Sequence, residues 1–133
     1  MSTTVYIAIY KPADDRDPSH WAIFLCNGQL GDVILQVGDD KGGVGYFVDE
    51  PVYDKQPQRS IRHDKSIMVG SIASVDQDAA IAAIQATPVD NVSTTWNCQA
   101  WAVEALDGLE EVGLFTWDKK GKEAALKKRQ RWQ

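Results

Sequence analysis

The first part of the chain alternates apolar and polar positions over short segments, a pattern typical of β-strands. Residues 3–10, TTVYIAIY, alternate β-branched, aromatic and small side chains and end at Lys11-Pro12. A second strand is predicted from His20 to Cys26 and a third from Val33 to Val37, with the turn signal Asn27-Gly28 between them. Three strands joined in sequence order predict a β-meander.

A glycine-rich segment, GDDKGGVG, interrupts the pattern at residues 38–45. This segment is too rich in glycine to predict regular structure, and we expect it to form a flexible flap near the functional site. Further strands are predicted at Tyr46–Asp49 and Ser66–Ala73, with a loop over residues 50–60.

The later part of the chain has apolar residues at helical spacing. Residues 74–77, SVDQ, have the spacing of a capping box and predict a helix that runs to about Ala86, before Pro88. From about Cys98 to Val112 apolar residues recur at steps of three and four, which predicts a helix with one apolar face, and Gly113 is placed to cap it. Strands that precede helices predict an α+β fold, in which an antiparallel sheet packs against the helix bearing Cys98.

Charge is distributed unevenly along the 133 residues, whose net charge is −5. Residues 116–133 hold seven basic residues against two acidic ones, so this segment carries +5 and the rest of the chain −10. An acidic body repels a phosphate backbone, which argues against nucleic acid as a partner. We expect a single domain over residues 1–115, followed by a basic C-terminal tail or helix over residues 116–133.

Three placements are open for the basic tail. It could lie on an acidic membrane surface as a basic helix, stay solvated, or dock on its own acidic body. Its apolar face is thin, because Ala124, Ala125 and Leu126 are consecutive rather than spaced along one side. This favours a solvated helix.

The sequence favours a reducing compartment. The N-terminus has no basic start followed by a long apolar stretch, and no apolar run approaches the roughly 18 to 20 residues of a membrane span. We therefore expect a cytoplasmic, intracellular protein whose two cysteines stay reduced. Because the sequence has no CxxC, HExxH or paired-histidine motif and no nucleotide fingerprint, we expect neither a metal nor another cofactor.

Cys98, in the run TTWNCQAW, stands at the start of a predicted helix. Asn97 is a preferred N-cap residue, and if it caps this helix, Cys98 lies beside unpaired amides and the positive end of the helix dipole, which favour a thiolate and could hold an oxyanion. The alternative is that Cys98 is a small buried hydrophobe on the apolar face. Cys26 lies about 20 Å from His20 along an extended strand, too far to pair with it, and is interpreted as structural.

A thiol nucleophile needs a base, and the chain offers two histidines. His20 begins a strand on which Ala22 and Phe24 share its face, so its ring has apolar neighbours and needs a polar partner. The alternative is a core or strand-end histidine bonded to the backbone. His63, in IRHDK, is surrounded by charged residues and is predicted to be solvated.

Gln36, in VILQV, is the candidate for the group that orients the imidazole. If the hairpin loop consists of residues 27–29, Cys26 faces Leu30 and His20 lies directly opposite Gln36. A register one residue different would put Gln36 on the other face of the sheet, as a glutamine on the solvated side of an outer strand.

Together these runs resemble a known family. SHWAIFL followed by VILQV, and later NCQAW at a helix start, is similar to the circularly permuted papain-like fold of the NlpC superfamily, in particular to the lecithin:retinol acyltransferase and H-Ras-suppressor-type acyltransferases. The resemblance covers about residues 3–112. It implies that His20 is the base, Gln36 the orienting group and Cys98 the nucleophile, which takes up an acyl group and passes it to water, an amine or an alcohol. The neighbouring residues predicted to contact the substrate are Trp21, Asn97 and Trp101.

The sequence departs from those acyltransferases in two ways. They orient the imidazole with a second histidine, whereas Gln36 offers a neutral carbonyl, as the amide does in papain-type sites. Their membrane-acting members carry an apolar C-terminal anchor, whereas this chain ends in KKGKEAALKKRQRWQ. The second departure argues against a phospholipid or retinoid substrate.

Three hypotheses for the function follow. The leading one is a cysteine-dependent acyltransferase, or an amide, ester or thioester hydrolase, that works through a Cys98 acyl-enzyme on a small-molecule or acyl substrate. The second is an isopeptidase of the permuted papain-like desumoylating type, which also places a histidine strand before an Asn-Cys helix start. The third is a non-catalytic binding module that keeps the fold. The sequence leaves the oligomeric state open.

Overall fold

The computed structural model describes residues 2–41 and 44–130, with the side chains of residues 40, 41 and 44 excepted. The glycines at 42 and 43 and the end of the basic tail, residues 131–133, lie outside the described residues. Within these bounds the strands are β1 (Ser2–Tyr10), β2 (His20–Cys26), β3 (Val33–Leu35), β4 (Val37–Lys41), β5 (Val44–Val48), β6 (Val52–Tyr53), β7 (His63–Ala73) and β8 (Thr116–Trp117). The α-helices are α1 (Gln77–Gln85), α2 (Cys98–Glu111) and α3 (Lys119–Lys127).

Six of these strands form one sheet in the order β6-β3-β2-β1-β7-β8, and every neighbouring pair in it is antiparallel. The first three strands lie side by side in sequence order, which is the predicted meander. Strands β4 and β5 form a separate two-stranded hairpin. The prediction of an α+β fold with an antiparallel sheet is confirmed.

The two faces of the sheet carry two different apolar clusters because successive residues of a strand point to opposite faces. Trp21, Ile23 and Leu25 of β2 belong to the main core, which they share with helices α1 and α2. Ala22 and Phe24 belong to a smaller cluster. His20 has the parity of this second set, as the alternation predicts.

The glycine-rich segment is more regular than its composition indicates. Gly38 pairs with Phe47 in the β4–β5 hairpin, so the prediction of irregular structure is wrong for residues 38–41 and 44–45. A Cβ on Gly38 would lie 2.9 Å from Cζ of Phe47. Glycine at this position therefore makes room for an aromatic ring rather than breaking the strand.

The register of the β2–β3 hairpin also differs from the prediction. Ile23 faces Leu35 and Leu25 faces Val33, which is a shift of two residues from the register that would place Gln36 opposite His20. The cause is a longer turn, in which Asn27 Oδ1 accepts hydrogen bonds from the N–H groups of residues 29 and 30. Because a shift of two residues preserves the face, Gln36 stays on the side of His20.

The described part of the basic tail docks on the body, so the expectation of a solvated helix is wrong. Strand β8 pairs with β7, and α3 packs against the same strand. The approach is very close, since a Cβ on Gly121 would lie 2.0 Å from the Met68 carbonyl oxygen, and Ala125 is buried. One ion pair supports the contact, between Lys122 and Asp107 at 3.8 Å. Small side chains at the interface, rather than charge alone, therefore hold the helix in place.

Candidate active site

Cys98 is the first residue of α2, and its surroundings match the predicted helix start. Asn97 has extended backbone, and its side-chain oxygen accepts hydrogen bonds from the N–H groups of Gln99 and Ala100, both at 3.2 Å. The N–H of Trp21 donates to Cys98 Sγ at 3.4 Å. Within the described ranges, no backbone carbonyl outside the helices and strands accepts a hydrogen bond from the N–H of Cys98 itself. The sulfur thus lies at the positive end of a helix, beside one amide that already points at it.

The His20 ring is bonded to Gln36, as the orienting role requires. His20 Nε2 lies 2.8 Å from Gln36 Oε1. An amide oxygen can only accept, so Nε2 is the protonated nitrogen in this arrangement. The other ring nitrogen, Nδ1, takes no part in this bond and can accept a proton.

The pKa of the His20 ring reflects its surroundings, which include Cys98. Burial is the largest influence on the pKa of His20 and lowers it, but the neighbouring Cys98 side chain, the bond to Gln36 and the charge of Asp39 together raise it to about 9. The ring is therefore stabilised in its protonated form at neutral pH.

A groove of about 420 Å³ gives access to this pair. The loop before β2 and the β4–β5 hairpin form its walls, and Cys98, His20, Gln36 and Asn97 line it. The side chain of Asn91 fixes the hairpin by bonding both backbone groups of Tyr46, at 2.7 and 3.1 Å. The glycine-rich segment therefore lies near the site, as predicted, although as a hairpin.

A network of amide hydrogen bonds, which the sequence alone did not predict, connects the segment of His20 with the start of α2. Ser19, the neighbour of His20, accepts a hydrogen bond from Gln99 Nε2 at 2.8 Å and donates its N–H to Gln130 Oε1 at 2.9 Å. Gln130 N–H donates to Gln99 Oε1 at 2.6 Å, and its carbonyl accepts from Asn97 Nδ2 at 3.0 Å. The sequence contains a signal for Gln99, because a glutamine stands next to the candidate nucleophile on an apolar helix face. No local sequence pattern predicts that Gln130 takes part in the network.

Two of the three predicted substrate contacts are corrected by burial. Trp21 and Trp101 are both 0% exposed and neither lines the groove. Trp101 instead donates its ring N–H to the Thr87 carbonyl in the core, and Trp21 contributes only its backbone N–H to the site. Large aromatic side chains on the inner faces of β2 and α2 fill the space between sheet and helix, so they cannot face solvent. Asn97 does line the groove, but its side chain caps α2.

The remaining histidine and cysteine lie outside the pair. His63 Nε2 lies 2.9 Å from the Ser66 hydroxyl, and the ring of Tyr10 contacts both imidazoles, 5.6 Å from His20 and 5.9 Å from His63 between centroids. Cys26 lies at the opposite end of β2 from His20. Burial, with the charge and the hydrogen bond of Asp32, raises the pKa of the Cys26 thiol. Of the candidates for orienting His20, the one in contact through a hydrogen bond is Gln36.

The fold and the site define an α+β protein with a Cys–His–Gln arrangement at the start of a helix. Comparison with protein-family models matches residues 5–116 to the Family of unknown function (DUF6540), and the chain belongs to this family. No curated protein and no solved structure matches it. The matched region contains His20, Gln36 and Cys98, whereas helix α3 and Gln130 lie beyond it. None of the described helices is long and apolar enough to span a bilayer.

Proposed function

We propose that this protein is a thiol-dependent acyl-transfer enzyme, an acyltransferase or a hydrolase, with Cys98 as nucleophile, His20 as acid and base, and Gln36 as the orienting group. The observation that carries the proposal is the His20 ring, which bonds Gln36 at 2.8 Å and lines the same groove as Cys98 at the start of α2. A buried cysteine of purely structural role has no need of an oriented imidazole beside it.

The proposed reaction has two steps. The Cys98 sulfur attacks the carbonyl carbon of the substrate, a carbon–sulfur bond forms, and the bond to the leaving group breaks as His20 gives it a proton. The acceptor, which is water, an amine or an alcohol, then attacks the thioester while His20 takes its proton, and the thiolate is restored. The N–H of Cys98 and the positive end of α2 are available to stabilise the oxyanion of each tetrahedral intermediate.

The order of the parts supports the wider proposal of a circularly permuted papain-like fold of the NlpC superfamily. A histidine-bearing strand precedes the cysteine-bearing helix, and a polar residue after the next strand contacts the imidazole. A groove of about 420 Å³ suits a small-molecule or acyl substrate. A cytoplasmic location belongs to the same proposal, because a free catalytic thiol persists in a reducing compartment.

The direct test is intact-mass measurement after incubation with thioesters, esters and amides. The proposal predicts an acyl adduct that maps to Cys98 and is absent from Cys98→Ala, while Cys26→Ala still forms it. Cleavage of an isopeptide-linked substrate together with failure of every small donor would favour the isopeptidase. If no donor and no isopeptide substrate reacts at Cys98, the protein is a binding module and the proposal is wrong.

A further inference from the structure

A second hollow shares His20 and Gln36 with the groove but does not include the thiol. Its volume is about 420 Å³, and Ile34 and Val52 form an apolar part of its lining. A cavity that Cys98 does not line therefore lies beside two of the proposed catalytic residues.

Three basic residues converge on this hollow from three separate segments. Lys11 follows β1, Lys55 follows β6 and Arg62 precedes β7. A backbone hydrogen bond of 2.8 Å from Lys11 N–H to the Arg62 carbonyl holds two of these segments side by side. The convergence is thus a product of the fold and not of a run of basic sequence.

No acidic residue of the described chain lines the hollow. The ion pairs among the described residues join Arg16 to Asp14 and Lys122 to Asp107, so none of them uses a cation of the hollow. The chain outside the basic tail carries a net charge of −10, which makes a patch of three unpaired cations unusual on this surface. Like charges that face one hollow repel each other, and a bound anion would relieve the repulsion.

Hydroxyl groups complete the lining. Ser60 and Tyr10 both face the hollow, and Ser60 Oγ already accepts a hydrogen bond from Arg62 N–H at 3.3 Å, which leaves its own proton free to donate. Arginine, lysine and hydroxyl donors around an apolar floor suit a charged oxyanion on an organic molecule. We propose that this hollow binds a phosphate or similarly charged oxyanion group, either free or carried by the molecule that reacts at Cys98.

Binding is tested first, on Cys98→Ala so that no acyl chemistry intervenes. The uniformly ¹⁵N-labelled full chain is titrated with sodium phosphate at pH 7, and with sodium chloride at equal ionic strength. We expect a saturable shift of the amides of Lys11, Ser60 and Arg62 with phosphate only, weakened about tenfold or more in K55Q/R62Q. The matched control Lys127→Gln, an exposed cation on α3, should bind like the parent. Equal responses to the two salts, or unchanged binding by K55Q/R62Q, would overturn the proposal.

A second measurement separates the two sources of the anion and rests on the proposed function. Acylation of Cys98 is compared for acetyl-coenzyme A, which carries phosphates, and S-acetyl-N-acetylcysteamine, which carries none. If the substrate carries the anion, the double substitution K55Q/R62Q and added phosphate slow acylation by acetyl-coenzyme A only. If the anion is free, they change the acylation rate with both donors to the same extent. Failure of both donors would count against the proposed function, while the phosphate titration would still decide the hollow.

Discussion

In the proposed reaction the His20 ring gives a proton to the leaving group and takes one from the acceptor, so its protonation sets the pH range of activity. The pKa of about 9 lies above the ordinary value of 6.5, which means that the folded protein keeps this proton through neutral pH. As the pH rises through about 9, His20 loses the proton that the leaving group needs.

We therefore expect kcat/KM for an amide or alkyl ester to fall as the pH rises through about 9. Alkylation of the thiol by iodoacetamide needs no proton donor and should not fall over the same range. A pH–rate profile measured with both reagents checks this. A fall already near pH 6.5 would show that Cys98 and Gln36 do not raise the pKa of His20.

In the proposed mechanism, Gln36 acts on the reaction through His20. Replacing it with alanine removes the 2.8 Å bond that fixes the ring, and we expect kcat/KM to drop by about tenfold to hundredfold, the range seen when the partner of a metal-bound imidazole is lost. Cys98→Ala should abolish turnover. The pKa of His20, measured by NMR, should also fall in Gln36→Ala, because the bond raises it.

The matched control is Gln29→Ala, an exposed glutamine in the turn between β2 and β3. Its rate should equal that of the wild type. A Gln36→Ala variant with full activity and an unchanged His20 pKa would remove Gln36 from the site.

Among the secondary-structure elements, α3 can dock closely on β7 because Gly121 has no side chain. A Cβ on Gly121 would meet the Met68 carbonyl oxygen at 2.0 Å, so Gly121→Ala should push the helix off the strand and lower the free energy of unfolding by about 2 kcal/mol or more. Gly108 is the control, since it lies exposed within α2 and a Cβ there has nothing within 4 Å. Gly108→Ala should raise the free energy of unfolding by about 0.5 to 1 kcal/mol. Urea unfolding measures both; equal effects would mean that α3 does not pack this closely.

The segment after α3 also reaches the site, through Gln130. Gln130→Ala removes the acceptor for the Ser19 N–H and should loosen the loop before His20. We expect alkylation of Cys98 to slow several-fold, while the free energy of unfolding falls by only about 1 kcal/mol. Gln130→Glu keeps an acceptor oxygen and should restore most of the rate, and Lys128→Ala, an exposed neighbour, should have no effect. Equal alkylation of Gln130→Ala and wild type would show that this contact does not position the pair.

Over the whole molecule, the sequence predicts features that depend on local periodicity. Alternation along β2 and the Asn97-Cys98 helix start both follow from neighbouring residues, and the structure has both. The register of β3 depends on the geometry of a turn, and the predicted register was wrong by two residues. Gln36 keeps its face only because this error is an even number of residues.

Features that depend on distant contacts were missed for a physical reason. Gln130 joins Ser19 across 111 positions of sequence, and no local pattern encodes such a contact. The burial of Trp101 depends on how closely α2 packs against the sheet, which apolar spacing alone does not fix. The glycine at 38 has its role only beside Phe47 on the partner strand.

Brief labelling with iodoacetamide at pH 6, followed by peptide mapping, tests whether Cys98 and His20 form a reactive pair. We expect Cys98 to be labelled well ahead of Cys26, whose thiol pKa is raised by burial and by Asp32. His20→Ala should remove most of this lead in labelling, because the helix end alone stabilises the thiolate by only about 0.3 to 1 kcal/mol. The unfolding curve of the variant should show that its fold is intact. Equal labelling of both cysteines, or labelling of Cys98 that does not depend on His20, would contradict the reactive pair.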